Sequence, residues 1–238
     1  MIQGFTKATD KVIPRLIASI SGMEKAGKSS FALSAPGPII YFNLDYGLEG
    51  VLGRYTDLKD IYVKEYRFKR NDSPDRYITL WTNFVTDYYA AMKSKARTII
   101  IDTATEAWEL LRLARFGKLT KVLPFHYGPV NTEYMSLIRE GYSYDKNILL
   151  LHKLKKQYVN DNFSGKYERA GFGNTGFLVQ ANLEVRRDGL DGAFYLDVLD
   201  CRQNSALGGM EIELADEFSG FPFLAQLIFP DTVEEDWV

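Results

Sequence analysis

One cysteine and two histidines are scattered through 238 residues. Cys201 has no second cysteine for an internal disulfide, and one Cys with two His cannot build a zinc cluster. Long apolar runs are missing too: nothing approaches the roughly 20 residues of a membrane span, and the opening MIQGFTKATDK lacks the apolar stretch of a targeting segment. A cytosolic protein without a membrane partner is expected. Repeats and low-complexity tracts are absent, which excludes solenoid and fibrous architectures. Neither sign of charge dominates. With 29 Lys and Arg against 31 Asp and Glu, the net charge of -2 supplies no global field for nucleic acid, so such a site would have to be a local basic patch.

Core-forming residues are plentiful. A hydrophobic share of 46% over this length fills one well-buried core and falls short of two ordinary domains. The reading is a single domain over residues 1–230, followed by an acidic tail, 231–238.

One short stretch carries most of the chemistry. Residues 22–30, GMEKAGKSS, match the phosphate-loop spacing of glycine, four residues, glycine, lysine and a hydroxyl residue. The apolar, β-branched VIPRLIASIS (12–21) leads into it as a buried strand, and KSSFALSA leads out as a helix stopped at Pro36-Gly37-Pro38. In such a loop, backbone N–H groups face phosphate oxygens, and the glycines permit the approach. The candidate cofactor residues are therefore Gly22, Met23, Glu24, Lys25, Ala26, Gly27, Lys28, Ser29 and Ser30. Lys28 supplies charge to the phosphates, and Ser29 a ligand position for Mg²⁺. The bland alternative is a glycine turn with an exposed lysine.

Strand signals recur at PIIYFNLD, ending on Asp45, at TIIID, ending on Asp102, and at NILLLHK, ending on His152. Between them, Ser73 and Pro74 open a helix over 74–94 with Tyr77, Trp81, Phe84, Val85, Tyr88 and Met92 on one face, and another helix is expected at 131–142. FLVQANLEVRRDG and AFYLDVLDC form two strands joined at Gly189 and Gly192. The fold class is α/β: a mostly parallel sheet flanked by helices, with added antiparallel strands.

A carboxylate closing an apolar strand stands where such sheets bind ligands, so Asp102 is the second Mg²⁺ candidate; capping the following helix is compatible with that role. Thr103, not Glu, comes next, so the acid that activates water must lie elsewhere: Asp45 first, Glu49 in reserve. His152, or Lys153 instead, could hydrogen-bond a terminal phosphate, against a purely structural role. The segment after it reads as a long loop mixing cations and aromatics, and Lys155, Lys156, Tyr158, Phe163, Lys166, Tyr167 and Arg169 are candidates for single-stranded nucleic acid; a solvated loop is the alternative. A second basic and aromatic loop spans 115–131.

GMEKAGKSS, IIYFNLD, TIIIDTATEAWELL and ILLLHK, in that order, resemble the RecA-like core of phage-encoded P-loop ATPases of recombination and single-strand annealing, over roughly residues 12–200. The resemblance implies a RecA-type sheet, ATP and Mg²⁺ as cofactors, and homo-oligomers with nucleotide at the subunit interface. It also implies single-stranded DNA as partner, with a single-strand-binding or other replication protein as a further one, in the host cytoplasm. It assigns water activation to Asp45, phosphate sensing to His152 or Lys153, and an interface cation to Arg202. A full recombinase carries an extra terminal domain for which this chain has little room, so annealing or loading fits better than strand exchange. Two further readings stay open: a P-loop kinase of a nucleotide or metabolite, and a nucleotide-gated binding module with little turnover. A GTPase is disfavoured because no Asn-Lys-x-Asp motif occurs, and an AAA+ motor because strands rather than a helical lid follow the core.

Overall fold

IASISG, the strand β1 (Ile17–Gly22), is buried at all six positions, because the sheet is covered on both faces and β1 has a neighbour on each side. The structure, a computed structural model, describes residues 12–119, 122–189, 192–214 and 220–237. The strand expected at 12–21 is thus shorter and later; residues 12–16 lead into it.

From β1 the chain turns through residues 23–27 into α1 (Lys28–Leu33), then β2 (Ile39–Asn43), the edge strand β3 (Ile61–Glu65), α2 (Pro74–Lys93), β4 (Thr98–Asp102) and α3 (Ala104–Phe116). α4 (Tyr127–Glu140) and β5 (Asn147–Val159) follow. β6 (Asn162–Arg169), a helical turn α5 (Thr175–Leu178), β7 (Ala181–Arg187), β8 (Phe194–Cys201), β9 (Glu211–Glu213) and α6 (Gly220–Ile228) complete the described chain. The sheet order is β3-β2-β4-β5-β1-β7-β8-β9, with β6 paired to β5 outside that path. Strands β3 through β7 in this order run parallel, and β8 and β9 extend them antiparallel. This is the expected α/β class.

Strand alternation divides the core in two. Ile20, Tyr41, Ile100 and Leu151 face α1 and α6, whereas Ile17, Phe42, Ile101 and Leu150 face α2, α3 and α4. On the second face the aromatic stripe of α2 does what its spacing predicts: Tyr77, Trp81, Phe84, Tyr88 and Met92 are buried, and Val85 partly so. Its start is set by Ser73, whose side chain accepts from the Arg76 amide, with Pro74 in the first turn.

Three expectations are corrected. β5 does not end at His152; it runs on to Val159 and folds back as β6, so the segment read as a loop is an antiparallel arm. The turn is Asn160-Asp161, both at positive φ (49° and 62°), as a two-residue hairpin of matching twist requires. The helix expected at 131–142 starts at Tyr127 and takes up the end of the segment read as a second loop; residues 120 and 121 lie outside the described residues. The supposed acidic tail is packed: Trp237 is fully buried, stacks on Phe229 with ring centroids 5.4 Å apart, and donates from Nε1 to Thr232 Oγ1 at 2.7 Å. No helix among the described residues is long and apolar enough to cross a membrane.

Candidate functional site

The carboxyl ends of β1, β2 and β4, with Lys153 and Leu154 midway along β5, open onto a cleft of about 1090 Å³, and residues 22–30 all line it. Two of their glycines are imposed by the surroundings. Gly27 has φ +94°, and a Cβ there would meet the Phe194 ring at 3.0 Å; a Cβ on Gly22 would stand 2.3 Å from the Val185 carbonyl oxygen. The β7–β8 hairpin thus presses on the loop from one side. Lys28 folds over it, donating from Nζ to the Gly22 and Met23 carbonyls at 2.9 and 2.6 Å. Burial holds its pKa below the usual lysine value, although Asp102 and Asp45 act in the opposite direction.

Ser29 and Asp102, 73 residues apart in sequence, meet here: Ser29 Oγ donates to Asp102 Oδ2 at 2.9 Å. β5 separates their strands in the sheet, so the contact bridges from the start of α1 to the tip of β4. Tyr41, on β2, donates its hydroxyl to the same oxygen. Burial raises the Asp102 pKa above the ordinary carboxyl value, and these two hydrogen bonds counter it. One hydroxyl and one carboxylate form the hard-oxygen pair that suits Mg²⁺, an ion that keeps most of its shell as water and phosphate oxygens. Among the described residues, no group of three or more His, Cys, Asp or Glu stands close enough to hold a metal alone. The residues therefore fit a metal that arrives with a phosphate ligand.

Asp45 lies two residues beyond β2 and lines the cleft, as does Glu49. Its carboxylate accepts from the Tyr46 amide at 2.6 Å and pairs with Lys153 Nζ at 3.1 Å. Burial works to raise the Asp45 pKa, but the Tyr46 amide and Lys153 prevail and hold it below the carboxylate range.

His152 is placed otherwise than expected. It is fully buried and is not among the residues lining the cleft; its Nδ1 lies 3.0 Å from the Ala170 carbonyl, and Nε2 is buried without a partner. Successive strand residues point to opposite faces, so His152 turns toward α3 while Lys153 turns to the cleft. Lys153 Nζ also meets Glu106 Oε1 at 2.7 Å. Burial disfavours its charge, yet Glu106 and Asp45 together raise its pKa above the usual value.

The nucleic-acid candidates divide. Tyr158, Phe163 and Tyr167 lie exposed on the β5–β6 arm, with Phe163 centroids 6.2 and 5.7 Å from the other two rings. Lys156 Nζ lies 5.3 Å from the Phe163 centroid, Lys155 pairs with Glu168, and Lys166 is exposed. Arg169 does not join them: it is half-buried, donating to Asn182 Oδ1 at 2.8 Å and Ser19 Oγ at 3.2 Å. Arg202 follows β8 at the edge of the sheet opposite the cleft and donates to the Phe177 carbonyl. Sequence reasoning missed Tyr41 and Glu106. Only the latter left a signal, four residues after Asp102.

A protein-family profile described as AAA domain matches residues 15–172. Antiparallel strands β8 and β9 follow the parallel strands, as the sequence reading expected in place of a helical lid. Among curated proteins none matches the chain.

Proposed function

The chain belongs to the AAA domain family of P-loop ATPases, and on that footing we propose that it binds ATP with Mg²⁺ in the cleft, hydrolyses it, and couples the cycle to single-stranded DNA on the β5–β6 arm. The observation that carries the nucleotide half is the meeting of Ser29 and Asp102 at 2.9 Å beside Lys28. Loop amides and Lys28 would receive the phosphates, and Ser29 and Asp102 would hold Mg²⁺, which would supply positive charge against the phosphate oxygens. Water oxygen attacks the γ-phosphorus, the bond to the β–γ bridging oxygen breaks, and Asp45 accepts the water proton, leaving ADP and inorganic phosphate. Glu49, farther along the same wall, is the reserve acid.

Support for the DNA half is the chemistry of the arm: three exposed rings and three lysines combine stacking surfaces with phosphate contacts, in a form that tolerates any base sequence. The finer setting, phage recombination, annealing or replication by a homo-oligomer with Arg202 at its interface, rests on the resemblance of four segments and belongs to this proposal.

ATP hydrolysis with Mg²⁺, measured with and without single-stranded DNA and with Lys28→Ala as control, tests the reading. DNA should stimulate phosphate release, and the control should lose about 1.5–3 kcal/mol of ATP binding. Undiminished ATP binding by Lys28→Ala would remove the phosphate-loop assignment. Nucleotide binding without DNA stimulation would favour the kinase or gated-module alternative.

A further inference from the structure

Glu106 occupies a position with an ordinary local explanation that the structure does not follow. Thr103-Ala104-Thr105-Glu106 has the spacing of a capping box, and Thr103 performs its half, accepting from the Glu106 amide at 3.1 Å. In such a box the glutamate carboxylate turns back to the capping residue's amide. Here it meets Lys153 Nζ at 2.7 Å, 47 residues along the chain.

The backbone of Lys153 is tied at the same place. Its N–H donates to Thr105 Oγ1 at 3.0 Å, that hydroxyl donates to the Ala170 carbonyl at 3.2 Å, and the Ala170 N–H donates to the Lys153 carbonyl at 2.8 Å. The root of the arm is therefore fixed to the first turn of α3, and Lys153 shares its ammonium between two carboxylates. They differ in kind. Glu106 is the nearer, at 2.7 Å, and stands on a helix outside the cleft lining; Asp45, at 3.1 Å, stands beyond β2 and lines the cleft.

We propose that Glu106 is a positioning residue that holds the Lys153 ammonium at the cleft wall, so that a terminal phosphate displaces Asp45 alone from it. The inference rests on the ATPase reading. An incoming γ-phosphate offers Lys153 a replacement for Asp45, while Glu106 keeps the lysine in place. Asp45, relieved of the cation that makes it a weak base, becomes free to accept the proton of the attacking water. ADP has no γ-phosphate and leaves the pairing intact. Glu106 thereby makes the site distinguish ATP from ADP, at the residue where the arm is rooted.

Glu106→Gln is the decisive variant, because the Thr103 cap uses only the backbone amide of residue 106, which the substitution keeps, while glutamine matches the shape of the carboxylate and removes its charge. Affinities for a non-hydrolysable ATP analogue and for ADP are measured with Mg²⁺ by calorimetry, alongside melting temperatures. The wild type should prefer the ATP analogue, and Glu106→Gln should narrow that preference about tenfold at unchanged melting temperature, as loss of one charge-assisted contact does. Glu106→Asp should restore part of it. An unchanged preference in Glu106→Gln overturns the inference, whether Lys153→Ala abolishes the preference or leaves it intact. If the wild type binds neither nucleotide, the ATPase reading itself falls.

Discussion

At the scale of single residues, the site depends on which way side chains point at the strand ends. Asp102 and Lys153 face the phosphate loop, and His152, one bond earlier than Lys153, faces α3. Burial, with Arg169 nearby, pushes the His152 pKa from 6.5 to about 3, so the folded chain keeps it neutral. The unfolded chain takes up that proton below about pH 6.5 and the folded chain does not. Its contribution to stability is therefore complete above pH 6.5 and is lost as pH falls toward 3, at up to about 1.4 kcal/mol per pH unit. Between pH 7 and pH 5, urea unfolding of the wild type should lose about 2 kcal/mol more than that of His152→Gln. Parallel losses in the two proteins would mean that His152 is charged inside the fold.

At the scale of elements, the β5–β6 arm is the least legible part of the chain. KLKKQYVNDNFSGKYER has polar residues at both alternating sets of positions because both faces of the arm meet solvent, so the period-two signal of a half-buried strand is missing. Its turn is Asn-Asp, without the glycine that usually marks a two-residue hairpin. Pairing is sustained by the backbone ladder, the Lys155–Glu168 ion pair and the ring contacts around Phe163. With Arg169 engaged beneath the arm, the variants that probe nucleic acid are Lys155, Lys156 and Lys166, each changed to alanine. Together they should lower the salt slope of single-strand binding by up to about 2, since each phosphate contact contributes about 0.7. Equal slopes for variant and wild type would move the DNA surface off the arm. By contrast, α2 was readable from its cap and its aromatic period, since its burial is one-sided and local spacing reports that directly.

At the scale of the whole molecule, residues distant in sequence close the core over the phosphate-loop helix. Phe221, Phe229 and Trp237 pack into the same cluster as Phe31 and Leu33 of α1, and the Asp236 carbonyl accepts from Arg97 Nη2 near the start of β4. Acidic residues at 231, 234, 235 and 236 make this segment look solvated, but one indole outweighs them by the apolar area it removes from water. Trp237→Ala should cost about 3–5 kcal/mol of unfolding free energy, read from the urea midpoint. A loss below about 1 kcal/mol would return the segment to the status of a peripheral tail.

What the sequence determined by itself is everything local. The phosphate-loop spacing, the apolar strands ending in Asp102 and near Asp45, the capped aromatic helix and the α/β class follow from contacts within a few turns, where residue type and spacing carry the physics. Only the tertiary structure decided which strand-end side chains share the cleft, that Tyr41 braces Asp102, that Glu106 leaves its cap for Lys153, and that the last tryptophan is buried. Each of these joins segments that are far apart in the chain, and their meeting depends on strand order and register. Neither is encoded at any one position, because both emerge when the two faces of the sheet bury their apolar residues together.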